Sequence, residues 1–440
     1  MYRIEITGVG SELQGVGRLP DGRAAFVPGA IPGETVDIEI TADKGRFCEA
    51  SLVSVVKASP DRAIPGCPHA DRCGGCQARH MTYARTLALK RQKVIDALER
   101  IGGLPSPTVF EALGCDRPDR TRNKAEYPIA IQEGRPVIGA YARGSHRVIP
   151  LTDCLSQPEE SVAALLALSE LLPGLPAAGH LRFLVTRVNR KGELMAVLSG
   201  DAPILSDMRA LAPRLRAALP GLQSLWYCQL NRRPAHALDG RCIRIFGGNT
   251  LTMSLFDLRF ELSPQAFFQV NAPQAERLYE KALEAAGVLP GGDRSVLDAY
   301  CGAGTISLCA ARRGARVTGV EIVPQAIENA RRNAQINGLS GQSHFICADA
   351  AQAIPQLLNR GEYFDAVILD PPRKGADEAL LAAIARAPIP TVSYVSCNPA
   401  TLARDAKYLC VNGYRLKWAQ PVDMFPWTGH VETVALMSRK

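Results

Sequence analysis

Apolar and polar residues alternate with a period of two in the first part of the chain: Arg3 to Thr7 (RIEIT), the stretch ending Thr35 to Thr41 (TVDIEIT), and Arg46 to Lys57 (RFCEASLVSVVK). Such alternation puts every second side chain on one face, and short strands separated by glycine turns predict a small β-barrel over residues 1–58. The period lengthens between Tyr83 and Ile101, where Leu87, Val94, Ile95 and Leu98 recur at helical spacing and predict a long amphipathic helix. The remainder of 59–262 predicts a mixed α+β central domain. Its clearest features are paired strands RFLVTRVN and ELMAVLSG around Arg190-Lys191-Gly192, and a helix from Met208 to Leu219. From Ser263 onward apolar strands (SVLDAY, RVTGVEI, SHFICAD, FDAVILD, TVSYVSC) alternate with helices at Thr305, Pro324 to Asn337, Asp377 to Arg386 and Ala400. That rhythm predicts a doubly wound, Rossmann-like parallel sheet over 263–440.

Charge and cysteine use narrow the setting. The 440 residues carry a formal net charge of +8 with no long basic run, a balance that suits a polyanionic partner such as RNA. Arg3 and Glu5 interrupt the place where a secretory leader needs an apolar core, and the apolar stretch near Ala163 to Leu172 is broken by Glu170. The expectation is a cytoplasmic protein with no membrane association and no obligate protein partner. Its thirteen cysteines are then expected as reduced thiols, some with chemical work.

Chemistry gathers where strands end. Asp298 to Thr305 (DAYCGAGT) follows an apolar strand and opens a helix, a glycine turn at which backbone can approach a nucleotide-like ligand. The turn lacks the third glycine of a pyrophosphate loop. Glu321 closes the next strand, where a carboxylate can accept from both ribose hydroxyls; Asp349 follows the third strand, and Asp370 ends the fourth in Asp370-Pro371-Pro372-Arg373. Together these form the pattern of a class I S-adenosylmethionine-dependent methyltransferase.

Ser396-Cys397-Asn398-Pro399 ends the fifth strand just before a helix, which brings a thiol to the same edge as Asp370, and helix N-termini favour thiolates. A thiolate suits methylation at C5 of uracil. C5 is a poor nucleophile until a thiolate adds to C6 and creates an enolate, after which a base must remove the C5 proton. Glu432 in His430-Val431-Glu432 is the candidate base, and His430 can orient either group or pack. Upstream, Cys67, Cys73 and Cys76 give C-x5-C-x2-C with Gly74-Gly75 inside, and Cys154 completes four thiols fit for an iron-sulfur cluster or zinc. The spacing differs from the C-x3-C-x2-C of radical adenosylmethionine enzymes.

Five ordered motifs carry a family resemblance across the chain: Ser263 to Asn271 (SPQAFFQVN), Asp298 to Thr305, Asp370 to Gly375 (DPPRKG), Ser396 to Leu402 (SCNPATL) and His430 to Glu432. The chain resembles the RNA uracil-5-methyltransferases, and residues 1–58 resemble the TRAM domain, an OB-like RNA-binding barrel, through Gly15-Val16-Gly17, Phe26 to Gly29 and Gly33-Glu34. The resemblance implies cofactor contacts at Gln269, Tyr300, Thr305, Glu321, Asp349 and Asp370, with Cys397 as nucleophile and Glu432 as base. It places Phe267 or Gln269 beside the flipped uracil. It also implies a [4Fe-4S] cluster on Cys67, Cys73, Cys76 and Cys154, and, since barrel and cluster occur together, a 23S rRNA substrate, with tRNA as the alternative. Two further readings stand beside it: an amine-directed methyltransferase, which uses a similar Asp-Pro-Pro motif, and a noncatalytic RNA-binding assembly factor.

Overall fold

Short half-apolar strands must find a partner surface, and the first five find it in one another. In the computed structural model, which describes all residues from Met1 to Lys440, β1 (Tyr2–Val9), β2 (Gly15–Arg18), β3 (Ala24–Val27), β4 (Thr35–Asp43) and β5 (Phe47–Lys57) close into a barrel of order β1-β2-β3-β5-β4. The alternating residues Ile4, Ile6, Val27, Val36, Ile38 and Ala50 fill it. Glu34 is wholly buried and is clasped through both oxygens by Arg62, each contact at 2.6 Å, which fastens the barrel to the segment that follows.

Helix α1 (Tyr83–Arg100) starts at Thr82, whose hydroxyl accepts from the Arg85 amide. Its buried face presents Val94, Ala97 and Leu98 to the C-terminal domain, where they share a core with Leu402 and Ala406. The central domain is a seven-stranded sheet of order β12-β11-β10-β9-β6-β7-β8. Its strands are β6 (Lys124–Gln132), β7 (Arg135–Tyr141), β8 (Val148–Pro150), β9 (Leu181–Val188), β10 (Leu194–Gly200), β11 (Leu222–Leu230) and β12 (Gly240–Gly247), packed with α2 (Glu159–Leu171) and α3 (Leu205–Ala218).

A hairpin, β13 (Leu251–Leu255) and β14 (Leu258–Leu262), departs from the expected boundary at 262/263. Its alternate residues Leu251, Met253, Leu255, Leu258, Phe260 and Leu262 are buried in the same core as Val296, Ile306 and Val317, so it belongs physically to the C-terminal unit. After α4 (Ala272–Ala285) come β15 (Ser295–Ala299), α5 (Thr305–Arg312), β16 (Arg316–Glu321), α6 (Pro324–Ile336), β17 (Ser343–Cys347), α7 (Ala350–Asn359) and β18 (Ala366–Leu369). Then follow α8 (Glu378–Arg386), β19 (Thr391–Ser396), α9 (Pro399–Val411), β20 (Tyr414–Val422) and β21 (Glu432–Arg439). The sheet order is β17-β16-β15-β18-β19-β21-β20, with β15 to β19 parallel and β21 antiparallel between β19 and β20. No helix is long and apolar enough to cross a membrane.

Candidate active site

Parallel strands direct their carboxyl ends to one edge, and five of the six residues expected at the cofactor fall there. Beyond β15 the chain turns sharply, with Tyr300, Gly302 and Gly304 at φ values of 69°, 54° and 79°. The two glycines differ in purpose. A Cβ on Gly304 would press on Phe345 at 3.1 Å and Ala330 at 3.2 Å, so its bareness serves helix-sheet packing; one on Gly302 would meet nothing within 4 Å, so that backbone faces open space. Glu321 is held by the amides of Gly302 and Val323 at 3.2 and 2.9 Å, which fixes its carboxylate beside the turn. Asp349 caps α7 by accepting from Ala351 at 2.8 Å through Oδ1.

Tyr300 is held through its amide, which donates to Val320, and its phenol oxygen accepts from the Asp377 amide. The Thr305 hydroxyl lies 3.1 Å from the Tyr279 phenol on α4, so this side chain is engaged within the protein. Gln269 arrives from the loop before α4; it is buried, and its carbonyl accepts from Asn123 at 2.9 Å. In the same loop Phe268 enters the core against Phe260, whereas Phe267 is 74% exposed.

The thiol and the carboxylate are brought together by strand register. Strands β19 and β21 pair antiparallel with Val395 opposite Val434 and Ser396 opposite Thr433, so the next position along that ladder sets Cys397 against Glu432. Parallel pairing of β18 with β19, ending at Leu369 opposite Tyr394, puts Asp370 on the neighbouring strand at the same edge. The loop after Asp370 is tied to the thiol's own loop, since Asn398 donates to the Arg373 carbonyl at 3.2 Å.

Electrostatics follow from this crowding. Burial pushes Asp370 up to about 7. Burial first, and the charge of Asp370 second, push Glu432 up to about 8, with the Arg373 guanidinium opposing. Cys397 departs from the expected thiolate-favouring shift: burial and the negative charge of Glu432 raise its pKa, and Arg373 offers the main counterweight. Asn398, not Cys397, caps α9, and two carboxyls stand beside the sulfur. The His430 ring packs edge-on against Phe425 at 5.9 Å, and burial pushes its pKa down.

Sequence reasoning missed the buried ion pair behind this edge. Lys90 donates to Asp423 at 2.5 Å with both side chains fully buried; Tyr83 donates to the second Asp423 oxygen at 2.7 Å, and Lys90 also reaches the Phe425 carbonyl at 2.9 Å. The pair anchors the segment 423–431 that delivers Glu432. A signal existed: Lys90 lies on the buried stripe of α1 with Thr86, Val94 and Ala97, where a lysine needs a buried partner.

Cys67, Cys73, Cys76 and Cys154 line one cavity of about 420 Å³ between the 67–76 loop and the central sheet. Four further lining groups, His69 Nδ1, Arg79 Nε, Tyr127 OH and Gln157 Oε1, are buried without a hydrogen-bond partner in the protein. Burial, helped by the charges of the other three thiols, pushes Cys154 up to about 11. The Gly75 amide donates to Cys73 Sγ at 3.3 Å. No three His, Cys, Asp or Glu side chains converge as a single metal ion requires.

Comparison with known proteins bears on family and fold. The family described as tRNA (Uracil-5-)-methyltransferase matches residues 246–440, and the TRAM domain matches residues 1–53. An RNA methyltransferase, otherwise uncharacterised, of Caldanaerobacter subterraneus subsp. tengcongensis is 40% identical, covering 100% of this chain and 98% of its own. Another such protein, from Halalkalibacterium halodurans, is 39% identical over 96% of this chain and 93% of its own. The crystal structure of Pyrococcus abyssi tRNA (uracil-54, C5)-methyltransferase with S-adenosyl-L-homocysteine superimposes with a TM-score of 0.77 at 27% identity, covering 99% of this chain and 100% of that one.

Proposed function

This chain belongs to the RNA uracil-5-methyltransferase family, and from that premise we propose that it methylates C5 of one uridine through a covalent bond from Cys397 to C6, resolved by Glu432. The observation that supports this reading is the β19/β21 register: the ladder runs to Ser396 opposite Thr433, Cys397 and Glu432 are the next residues on each strand, and the Glu432 charge acts on the thiol. S-adenosylmethionine supplies an electrophilic methyl group on a sulfonium. Cys397, once deprotonated, adds to C6 and pushes the electron pair of the C5–C6 bond toward O4. C5 of this enolate takes the methyl group as its bond to the sulfonium sulfur breaks and S-adenosylhomocysteine leaves with that electron pair; Glu432 then removes the remaining C5 proton, and the electrons of that C–H bond expel Cys397 from C6. In this reading Glu321, held beside the glycine turn, takes the ribose of the donor and Asp349 the adenine, and exposed Phe267 offers a face for the unstacked base.

Both reacting groups must be deprotonated, and both have raised pKa values in the folded enzyme. The rate at which methylated RNA is released therefore climbs as pH rises toward 8, where Glu432 loses its proton, and goes on climbing beyond it as the Cys397 thiol, raised above its ordinary range, ionises. A profile already flat from pH 6 to 9 contradicts the assignment of these two groups.

We further propose that the cysteine cavity holds a [4Fe-4S] cluster. Four cysteines lining one cavity match the number of thiolates that such a cluster takes. Gly75 donates to sulfur, as groups around such clusters do. We assign the cluster a bracing role, since methylation at C5 involves no electron transfer. Anaerobic purification is expected to yield about four iron atoms per chain with broad visible absorbance; iron-free, colourless protein contradicts it.

For the substrate we favour 23S rRNA, on the joint presence of barrel and four-cysteine set. The tRNA reading has an observation of its own, the end-to-end likeness to a tRNA (uracil-54, C5)-methyltransferase, so overall architecture does not separate the two. Mapping 5-methyluridine in RNA from cells with and without this protein decides between them: a site lost from 23S rRNA is the expected result, and one lost from tRNA alone overturns it.

A further inference from the structure

The segment 423–431 leads directly into the candidate base, Glu432, and touches all three parts of the molecule. The barrel reaches it at Gly429, where an added Cβ would lie 2.9 Å from the Ser11 carbonyl, and Lys93 bridges the Ser11 and Gly429 carbonyls at 2.8 Å each. Helix α1 holds its start through Lys90 and Asp423. The third attachment comes from the cysteine loop and converges on one residue, Trp427. Its carbonyl accepts from the amides of Gln77 and Ala78, at 2.8 and 3.0 Å, directly after Cys76. Its indole N–H donates to Asp119 at 2.9 Å, and the same Asp119 oxygen accepts from Arg79 at 2.8 Å. The Arg79 guanidinium lies over the indole ring at 5.1 Å, while Tyr83 packs against the ring at 5.3 Å.

Trp427 also adopts φ 64°, a left-handed conformation that a bulky side chain holds only where its surroundings compel it. The groups that hold it come from outside its own loop: Gln77, Ala78 and Arg79 beyond the last cysteine of the cluster loop, Tyr83 on α1, and Asp119. Arg79 is buried and lines the cysteine cavity together with Cys76, so one side chain touches both the cavity and the strained residue.

We propose that Trp427, held by Arg79 and Asp119, is a positioning residue through which the four-cysteine loop sets the alignment of Glu432. The inference rests on the reading of Glu432 as the base. Trp427 stands five residues before Glu432, and its strained backbone fixes the direction in which the segment enters β21. Releasing it lets the carboxyl drift from the C5 proton while leaving Cys397, on β19, in place. Proton removal then slows, whereas thiolate addition and methyl transfer do not.

The test compares full-length Asp119→Ala, Trp427→Phe and Asp119→Asn with the unaltered enzyme, each purified anaerobically and given substrate RNA and labelled methyl donor. Three quantities are read: iron content, methyl groups transferred in the first turnover, and the fraction of RNA held in a complex that resists denaturing gels. Asp119→Ala and Trp427→Phe should retain iron and the first-turnover methyl transfer, yet resolve the adduct at least about tenfold more slowly, as expected for a misplaced catalytic group. Asp119→Asn keeps an oxygen for the indole N–H and should fall closer to the unaltered enzyme. A merely structural role lowers all steps together or leaves adduct lifetime unchanged, and either result overturns the proposal. Glu432→Gln, run alongside, separates the two ideas: if it accumulates adduct and the Asp119 and Trp427 variants do not, the relay alone falls; if it accumulates none, the base assignment falls and the relay with it.

Discussion

Glu432→Gln transfers one methyl group and then stalls, with the RNA still bonded to Cys397. The amide keeps the shape of the side chain but cannot accept the C5 proton, and without that proton's departure the C6–S bond cannot break. Steady-state turnover should fall by about 10²- to 10⁴-fold, the range typical for loss of a general base, while first-turnover methyl incorporation stays near one per chain. The consequence is a band of protein joined to RNA on denaturing gels. The raised pKa of Glu432 supports this assignment, because a carboxyl pushed up to about 8 by burial is a far stronger proton acceptor than a solvated one. A variant with ordinary turnover and no adduct shows that another group removes the proton.

Cys397→Ala removes the nucleophile itself, and turnover should drop by at least about 10⁴-fold. Binding of S-adenosylmethionine should change little, because the glycine turn, Glu321 and Asp349 lie on other strands. The variant also separates the rival readings. A methyltransferase acting on an exocyclic amine through Asp370-Pro371-Pro372 needs no thiol and keeps its rate. A noncatalytic assembly factor transfers no methyl group with either protein.

Much of the fold and of the proposed site is legible along the chain because chemistry and punctuation coincide there. The strands β15 to β19 end in Ala299, Glu321, Cys347, Leu369 and Ser396, each at or within two residues of a motif, so locating the strands locates the edge. What stayed hidden depends on contacts between distant segments. Residues 251–262 alternate as any exposed hairpin does, and only packing against the core with Val296 and Ile306 assigns them to the C-terminal unit. The antiparallel strand β21 brings Glu432 opposite Cys397, but no local pattern announces that it inserts between β19 and β20. Lys90 and Asp423 are 333 positions apart, and Trp427 looks like an ordinary aromatic until its left-handed backbone and its partners at 77–79 and 119 are seen. The shift of Cys397 reversed its expected sign for the same reason: the helix N-terminus is local, whereas the burial that chiefly opposes ionisation, and the two carboxyls that add to it, come from other strands.

The most direct measurement traps the bond itself. RNA carrying 5-fluorouridine at the target position presents a carbon from which no proton can be removed after methyl transfer, so the unaltered enzyme should remain attached. Protease digestion and mass analysis of that complex should then place one modified, methylated pyrimidine on the peptide containing Cys397. A complex whose nucleotide maps to another residue, or a fully active enzyme that forms no covalent complex, contradicts the account.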